Sequence, residues 1–199
     1  MVVVIDYGMG NIRSIVKGLS FSGKKIVLSN KREDILKSRA IVLPGVGTFD
    51  EGMKNLNGLG IIPYIKQAVM EGKFFLGICL GMQLIFQESE EGVRCKGIGL
   101  IAGKVKRFAG GVKVPHMGWN TVKLRGDNKI LKDIPDETYF YFVHSYYVVP
   151  EDERIVSGIT SYGTDFASAV NTGNIYAAQF HPEKSQAQGL KILESFCGL

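Results

Sequence analysis

GICLGMQ, residues 77–83, places a cysteine between two glycines, where the apolar run Phe74 to Ile78 ends and a helical run from Leu80 to Phe86 begins. This resembles the G-x-S-x-G nucleophile elbow with sulfur in place of oxygen: Gly77 and Gly81 permit the tight turn and close packing, and Cys79 projects from it. Helix N–H groups and the helix dipole favour a thiolate at that position. Leu80 N–H, next along the turn, is placed to stabilise an oxyanion.

The same strand-then-helix order extends outward from the elbow. Val2 to Ile5, Lys25 to Leu28, Ala40 to Leu43 and Phe74 to Ile78 read as short buried strands, while Asn11 to Leu19 carries Ile12, Ile15 and Leu19 at helical spacing. Such alternation predicts an α/β fold, a mostly parallel central sheet with helices on both faces. After about residue 95 the texture changes to short strands with Gly, Asn and Asp turns: Gly99 to Phe108, Thr121 to Leu124, Thr138 to Val149 and Ile155 to Thr160. We read these as an antiparallel extension in the second half of a single domain, residues 1–199, because no Pro/Ser-rich linker divides the chain. Ile175 to Phe180 is the last strand, and a helix with Leu190, Leu193 and Phe196 on one face follows it.

Composition narrows the chemistry. At 199 residues the chain can bury roughly 70% of its unfolded surface without disulfides. Three cysteines (Cys79, Cys95, Cys197) at wide spacing fit neither a disulfide framework nor a zinc site, and Cys95 and Cys197 read as structural. The N-terminus lacks the features of a signal peptide, and no apolar window reaches the roughly 18 residues of a membrane span, so a reducing cytoplasm is expected. The net charge of +5 is dispersed, with only small groups at Lys31-Arg32 and Lys104 to Arg107, which argues against nucleic acid and membrane as partners.

A thiolate in acyl transfer needs a base, and the chain has three histidines. Pro182 holds His181 extended at a strand end, so Glu183, two residues on, points the same way and reaches the ring nitrogen that faces away from the sulfur. The catalytic set is then Cys79, His181 and Glu183. His116, in PHMGWN, and His144, in FVHSYY, lack a following carboxylate and are expected to shape a pocket or an interface. Pro44-Gly45-Val46-Gly47 ends a strand immediately before Thr48-x-x-Glu51, a capping box, so a pliable backbone stretch stands at a helix N-terminus.

GICLGMQ with QFHPEKS resembles the class I glutamine amidotransferases. DYGMGN (residues 6–11), LPGVGTF, PHMGWN and FVHSYY narrow the resemblance to their branch of glutaminase subunits of imidazole glycerol phosphate synthase, and it runs over essentially the whole chain. The resemblance implies a flavodoxin-like fold and hydrolysis of L-glutamine through a Cys79 thioester, with no metal or organic cofactor. It implies glutamine binding by Gln83 and by the Gly47, Ser145 and Tyr146 region. A peptide flip at Gly45-Val46-Gly47 would bring Val46 N–H into an oxyanion hole with Gly47 and Leu80. The implied partner is a (β/α)8-barrel cyclase subunit, in a heterodimer, met by Trp119, Tyr141 and Lys184. The alternatives are the glutaminase subunit of another amidotransferase, a catalytically silent regulatory homologue, and a cysteine hydrolase working alone.

Overall fold

Four-residue apolar runs build the centre of the molecule. The computed structural model describes residues 1–92 and 95–199, and in it β1 (Val2–Ile5) lies between β2 (Ile26–Ser29) and β3 (Ala40–Leu43), parallel to both. β4 (Phe74–Ile78) continues the parallel sheet, and β13 (Ile175–Ala178) lies parallel on its far side. Alternate residues of each strand enter opposite cores: Val3, Ile5, Ile41 and Phe75 on one face, Val2, Val4, Val42 and Leu76 on the other. Two-sided burial explains why β1, β3 and β4 read as unbroken apolar runs, whereas β2, at the sheet edge, leaves Leu28 exposed.

Helices cover both faces. α3 (Phe49–Gly58) and α4 (Ile62–Met70) put Phe49, Leu56 and Ile65 into the first core; α1 (Ile12–Ser20) and α6 (Gln186–Gly198) put Ile15, Leu19, Leu193 and Phe196 into the second. The Thr48 half of the capping box is formed, since Glu51 N–H donates to Thr48 Oγ1. α2 (Arg32–Lys37), like α4, was not anticipated from the sequence. No helix among the described residues is long and apolar enough to cross a membrane.

The second half is antiparallel, as expected, but its strands are arranged differently. The helix after the elbow, α5, covers only Leu80–Leu84; Ile98 N–H donates to Leu84 O, Leu100 and Ile101 N–H donate to the O of the capping residue Ile85, and Phe86 already belongs to β5 (Phe86–Ser89). Beyond β6 (Cys95–Lys96) and β7 (Ile101–Arg107), β8 starts at His116 rather than Thr121 and runs to Leu124. The expected strand Thr138 to Val149 is two strands, β9 (Thr138–His144) and β10 (Tyr146–Pro150), because the chain changes neighbours at Ser145: β9 pairs with β8, and β10 with β7. β11 (Val156–Ser161) joins the β8–β9 ribbon to β12 (Asp165–Thr172), a strand the sequence reading missed, and β12 pairs with β13 and β10. The last strand stops at Ala178, two residues short of the expected Phe180.

Two features of this scaffold aim the site. Register pairs Ile78 with Ala178 across β4 and β13, so Cys79 and Gln179 leave the sheet side by side. Close packing then fixes the elbow, because a Cβ on Gly81 would lie 1.9 Å from Leu43 O. Gly81→Ala must therefore push α5 off β3 and is expected to cost more than about 3 kcal/mol of stability. Gly58, at the exposed end of α3 with open space around its Cα, gives the opposite result: Gly58→Ala is expected to gain about 0.5–1 kcal/mol. Urea unfolding of both variants measures the pair, and similar midpoints would refute the packing argument.

Candidate active site

The elbow holds Cys79 in a backbone conformation unusual for a side-chain-bearing residue, φ 53° and ψ −110°. Its N–H donates to Ala178 O at 2.8 Å, and its carbonyl accepts from Met82 and Gln83 N–H. The sulfur is thereby turned toward the C-terminal end of β13, 3.6 Å from Gln179 Nε2 and 3.9 Å from Val143 O. As the first residue of α5, Leu80 has no intrahelical acceptor for its N–H.

His181 follows β13 with extended backbone, φ −99° and ψ 95°, held by its N–H donating to Tyr141 O. Its Nδ1 is 2.8 Å from Glu183 Oε1, with both side chains buried. The expected partnership forms by a different route, since Pro182–Lys184 is a 3-10 turn rather than an extended segment. Proline's fixed φ suits the first turn residue, and the turn folds Glu183 back onto the ring. Burial works against a charge on His181, but the Cys79 charge and the contact with Glu183 outweigh it and raise the pKa to about 10. Among the described residues His181 Nε2 has no partner at full hydrogen-bond geometry, and Cys79 acts on the ring both by its charge and as a nearby hydrogen-bonding group. The ring thus holds a proton at neutral pH with Nε2 uncommitted.

Beside the sulfur lies a cavity of about 210 Å³. Val46, Gly47, Leu80, Gln83, Ser145 and Tyr146 all line it, so every residue expected to bind glutamine or an oxyanion meets at Cys79. Gly47 has φ 107°, and Val46 is exposed. The DYGMGN segment supports this loop from below: Tyr7 Oη donates to Pro44 O at 2.7 Å, and a Cβ on Gly45 would strike Tyr7 Oη and Leu80 Cβ. Burial and the nearby Cys79 charge push the Tyr7 pKa up, keeping it a neutral donor. Gln83 uses Nε2 within the protein, donating to Tyr146 O and Gln179 Oε1 at 3.0 Å each, which leaves Oε1 for a ligand.

Two residues with no assigned role in the sequence reading stand here. Glu91 lines the cavity and accepts from Phe49 N–H at 2.8 Å. Burial raises its pKa, against that hydrogen bond and with help from the charge of Asp50. Its spacing from other motif residues carried no signal. Gln179 is completely buried, and its only sequence signal was its place two residues before His181.

His116 and His144 do shape this region, as a pair 2.9 Å apart. His144 Nδ1 lies 2.7 Å from Tyr146 O and must donate to it; His144 Nε2 then accepts from His116 Nδ1, and His116 Nε2 accepts from Asn120 Nδ2. Burial lowers both pKa values, to about 4 for His116 and about 3 for His144. On the outer surface the structure also brings Trp119, Tyr141 and Lys184 together. The Trp119 and Tyr141 rings are 6.1 Å apart, and Lys184 Nζ lies 5.6 Å from the Tyr141 ring centre.

Comparison with known proteins agrees with this geometry. The family model described as glutamine amidotransferase class-I matches residues 3–198. The imidazole glycerol phosphate synthase subunit HisH of Aquifex aeolicus is 47% identical over 98% of this chain and 94% of its own. HisH 1 of Methanococcus maripaludis is 46% identical over the full length of both. Among solved structures, PurLQS from Thermotoga maritima superposes with a TM-score of 0.74 at 19% identity, over 99% of this chain and 97% of that one.

The histidine pair makes a prediction about pH. Groups with lowered native pKa bind protons more readily when unfolded, so stability falls as pH drops below 6.5 toward 4. His181, raised to about 10, contributes stability that is lost only as pH rises toward 10; below 6.5 it is protonated in both states and adds no slope. Urea unfolding between pH 6.5 and about pH 5 is expected to show a slope approaching about 2.7 kcal/mol per pH unit for two protons. A slope near half that value would mean that the buried pair holds one proton in the native state, and a flat profile that both histidines are protonated there.

Proposed function

The chain belongs to the class-I glutamine amidotransferase family, and from that premise we infer that it is the glutaminase subunit of imidazole glycerol phosphate synthase, acting in histidine biosynthesis. It hydrolyses L-glutamine and supplies the ammonia to the cyclase subunit of the synthase. The observation that carries the reading is the buried Cys79, His181 and Glu183 set at one end of two adjacent parallel strands.

The geometry supports these roles. Cys79 sulfur attacks the side-chain amide carbon of glutamine, and the oxyanion that forms is met by Leu80 N–H. His181 then gives its Nε2 proton to the departing ammonia, with Glu183 holding the imidazolium in place. The ring next takes a proton from water, whose oxygen attacks the thioester to release glutamate and restore the thiolate. The loop at Gly45 to Gly47 supplies a second oxyanion donor when the Val46 peptide turns its N–H inward, and the glycine on each side makes that rotation accessible.

Glutamine carries a cationic α-amino group, and Glu91 is the carboxylate in the cavity wall suited to receive it. Gln83 Oε1 and the Ser145–Tyr146 turn offer the remaining polar contacts. The partner face is the outer side of the β8–β9 ribbon, where Met117, Trp119 and Tyr139 are exposed and Lys184 stands over Tyr141. Tyr141 joins this face to the site, since its carbonyl fixes His181 and its own N–H donates to Ser185 Oγ. A (β/α)8-barrel as the cyclase and a cytoplasmic location complete the proposal.

The deciding experiment uses the complex with the cyclase subunit. Cys79→Ala is expected to abolish glutamate release while ammonium salt still supports cyclisation, and retained glutamine turnover would remove Cys79 from the mechanism. Glu91→Gln is expected to raise KM for glutamine about tenfold or more with a smaller change in kcat, the signature of a lost charge-assisted contact in the ground state.

A further inference from the structure

The hydrogen bonds around Cys79 determine the orientation of a side chain that has no assigned part in the reaction. Tyr146 O can only accept, so the Gln83 group 3.0 Å from it is Nε2. The second hydrogen of that amide must find an acceptor, which makes the Gln179 atom facing Gln83 Oε1. Gln179 is then committed: its Nε2 faces the Cys79 sulfur at 3.6 Å, an ordinary contact for a sulfur acceptor. The carboxamide is completely buried, and its backbone is pinned by Gln179 N–H donating to Ser168 O. His144 Nδ1 also donates to Tyr146 O, which ties that carbonyl to the neutral His144–His116–Asn120 chain.

We propose that Gln179 is a catalytic residue: its Nε2–H donates to the Cys79 thiolate, stabilising the nucleophile, and Gln83 and Tyr146 act behind it as positioning residues. The proposal rests on Cys79 being the nucleophile and adds a donor that the triad does not contain. The sulfur lies between opposite influences. Val143 O, at 3.9 Å, can accept only from the neutral thiol, whereas Gln179 Nε2 bonds best to the anion and is closer. His181, from the segment after β13, and the Tyr7 hydroxyl, from the loop after β1, interact with the sulfur, and Glu91 and neutral His144 stand in the walls of the same cavity. The N-terminus of α5 adds its N–H groups. His181 must surrender its proton in each cycle, so its help to the thiolate is intermittent; a carboxamide donor keeps its proton throughout.

The test is the pH profile of alkylation by iodoacetamide, read on the Cys79 peptide by mass spectrometry, in the full chain. Gln179→Met keeps the shape and removes the donor. Its profile is expected to move to higher pH by about one unit, with a rate about tenfold lower at pH values below the wild-type midpoint. Gln179→Glu, which sets a carboxylate beside the sulfur, is expected to move it further. A folded Gln179→Met chain with the wild-type profile overturns the proposal. Should that variant fail to fold, the wild-type chain decides by NMR: the Gln179 side-chain amide protons are expected to shift as Cys79 ionises, and signals that stay fixed overturn the proposal. Failure of the underlying reading is separate, because Cys79 in the wild-type chain would then alkylate no faster than Cys197.

Discussion

The site depends on how closely α5 lies against the end of β3. With no room for a Cβ between Gly81 and Leu43 O, the helix cannot slide or rotate, and the residue before it must take up the turn. Cys79 absorbs the constraint in its backbone, at φ 53°, and that conformation aims the sulfur across the sheet toward β13. The same packing includes the loop above, since Gly45 lies against Leu80 and Gly81 while Tyr7 grips Pro44 O. Elbow and loop form one packed unit: the base of the loop is held, and its freedom is confined to the peptides around Val46.

The three histidines show how similar burial yields opposite chemistry. His181 is desolvated but faces Glu183 on one side and the Cys79 charge on the other, so it keeps its proton. His144 is desolvated among a carbonyl, His116 and the positive His181, and His116 has only desolvation acting on it, so both stay neutral. Neutrality lets each ring donate from one nitrogen and accept at the other, and that makes them useful as fixed dipoles. The chain from Asn120 through both rings to Tyr146 O runs in one direction, and the Gln83–Gln179 branch meets it at the same carbonyl.

Much of this was legible in the sequence because the governing forces are local. The elbow needs glycines at fixed offsets, the base needs its carboxylate two residues on, and buried parallel strands read as apolar runs. What was not legible depends on pairing between distant segments. β12 begins DFASAV, and its small residues carry no strand signature; it is a strand because it lies between β13 and β10. The division at Ser145 has no turn residue stronger than serine and follows from β9 and β10 having different neighbours. Gln179 and Glu91 become conspicuous only when β4 and β13 are set side by side and the cavity is formed. The H-P-E reading reached the correct contact by the wrong geometry, since proline favours the tight turn as readily as the extended segment.

The placement of β13 between β4 and β12 has a temporal side. A hundred positions separate Cys79 from its neighbour Gln179, so during synthesis the sulfur leaves the ribosome long before the strand that completes its surroundings. Until β13 inserts, β4 and β12 are not joined through their shared neighbour, and the nascent chain carries a thiol with neither base nor donor beside it. Closure of so long a loop is a late and comparatively slow event in folding. The step that finishes the sheet is therefore also the step that sets the base and the carboxamide beside the sulfur.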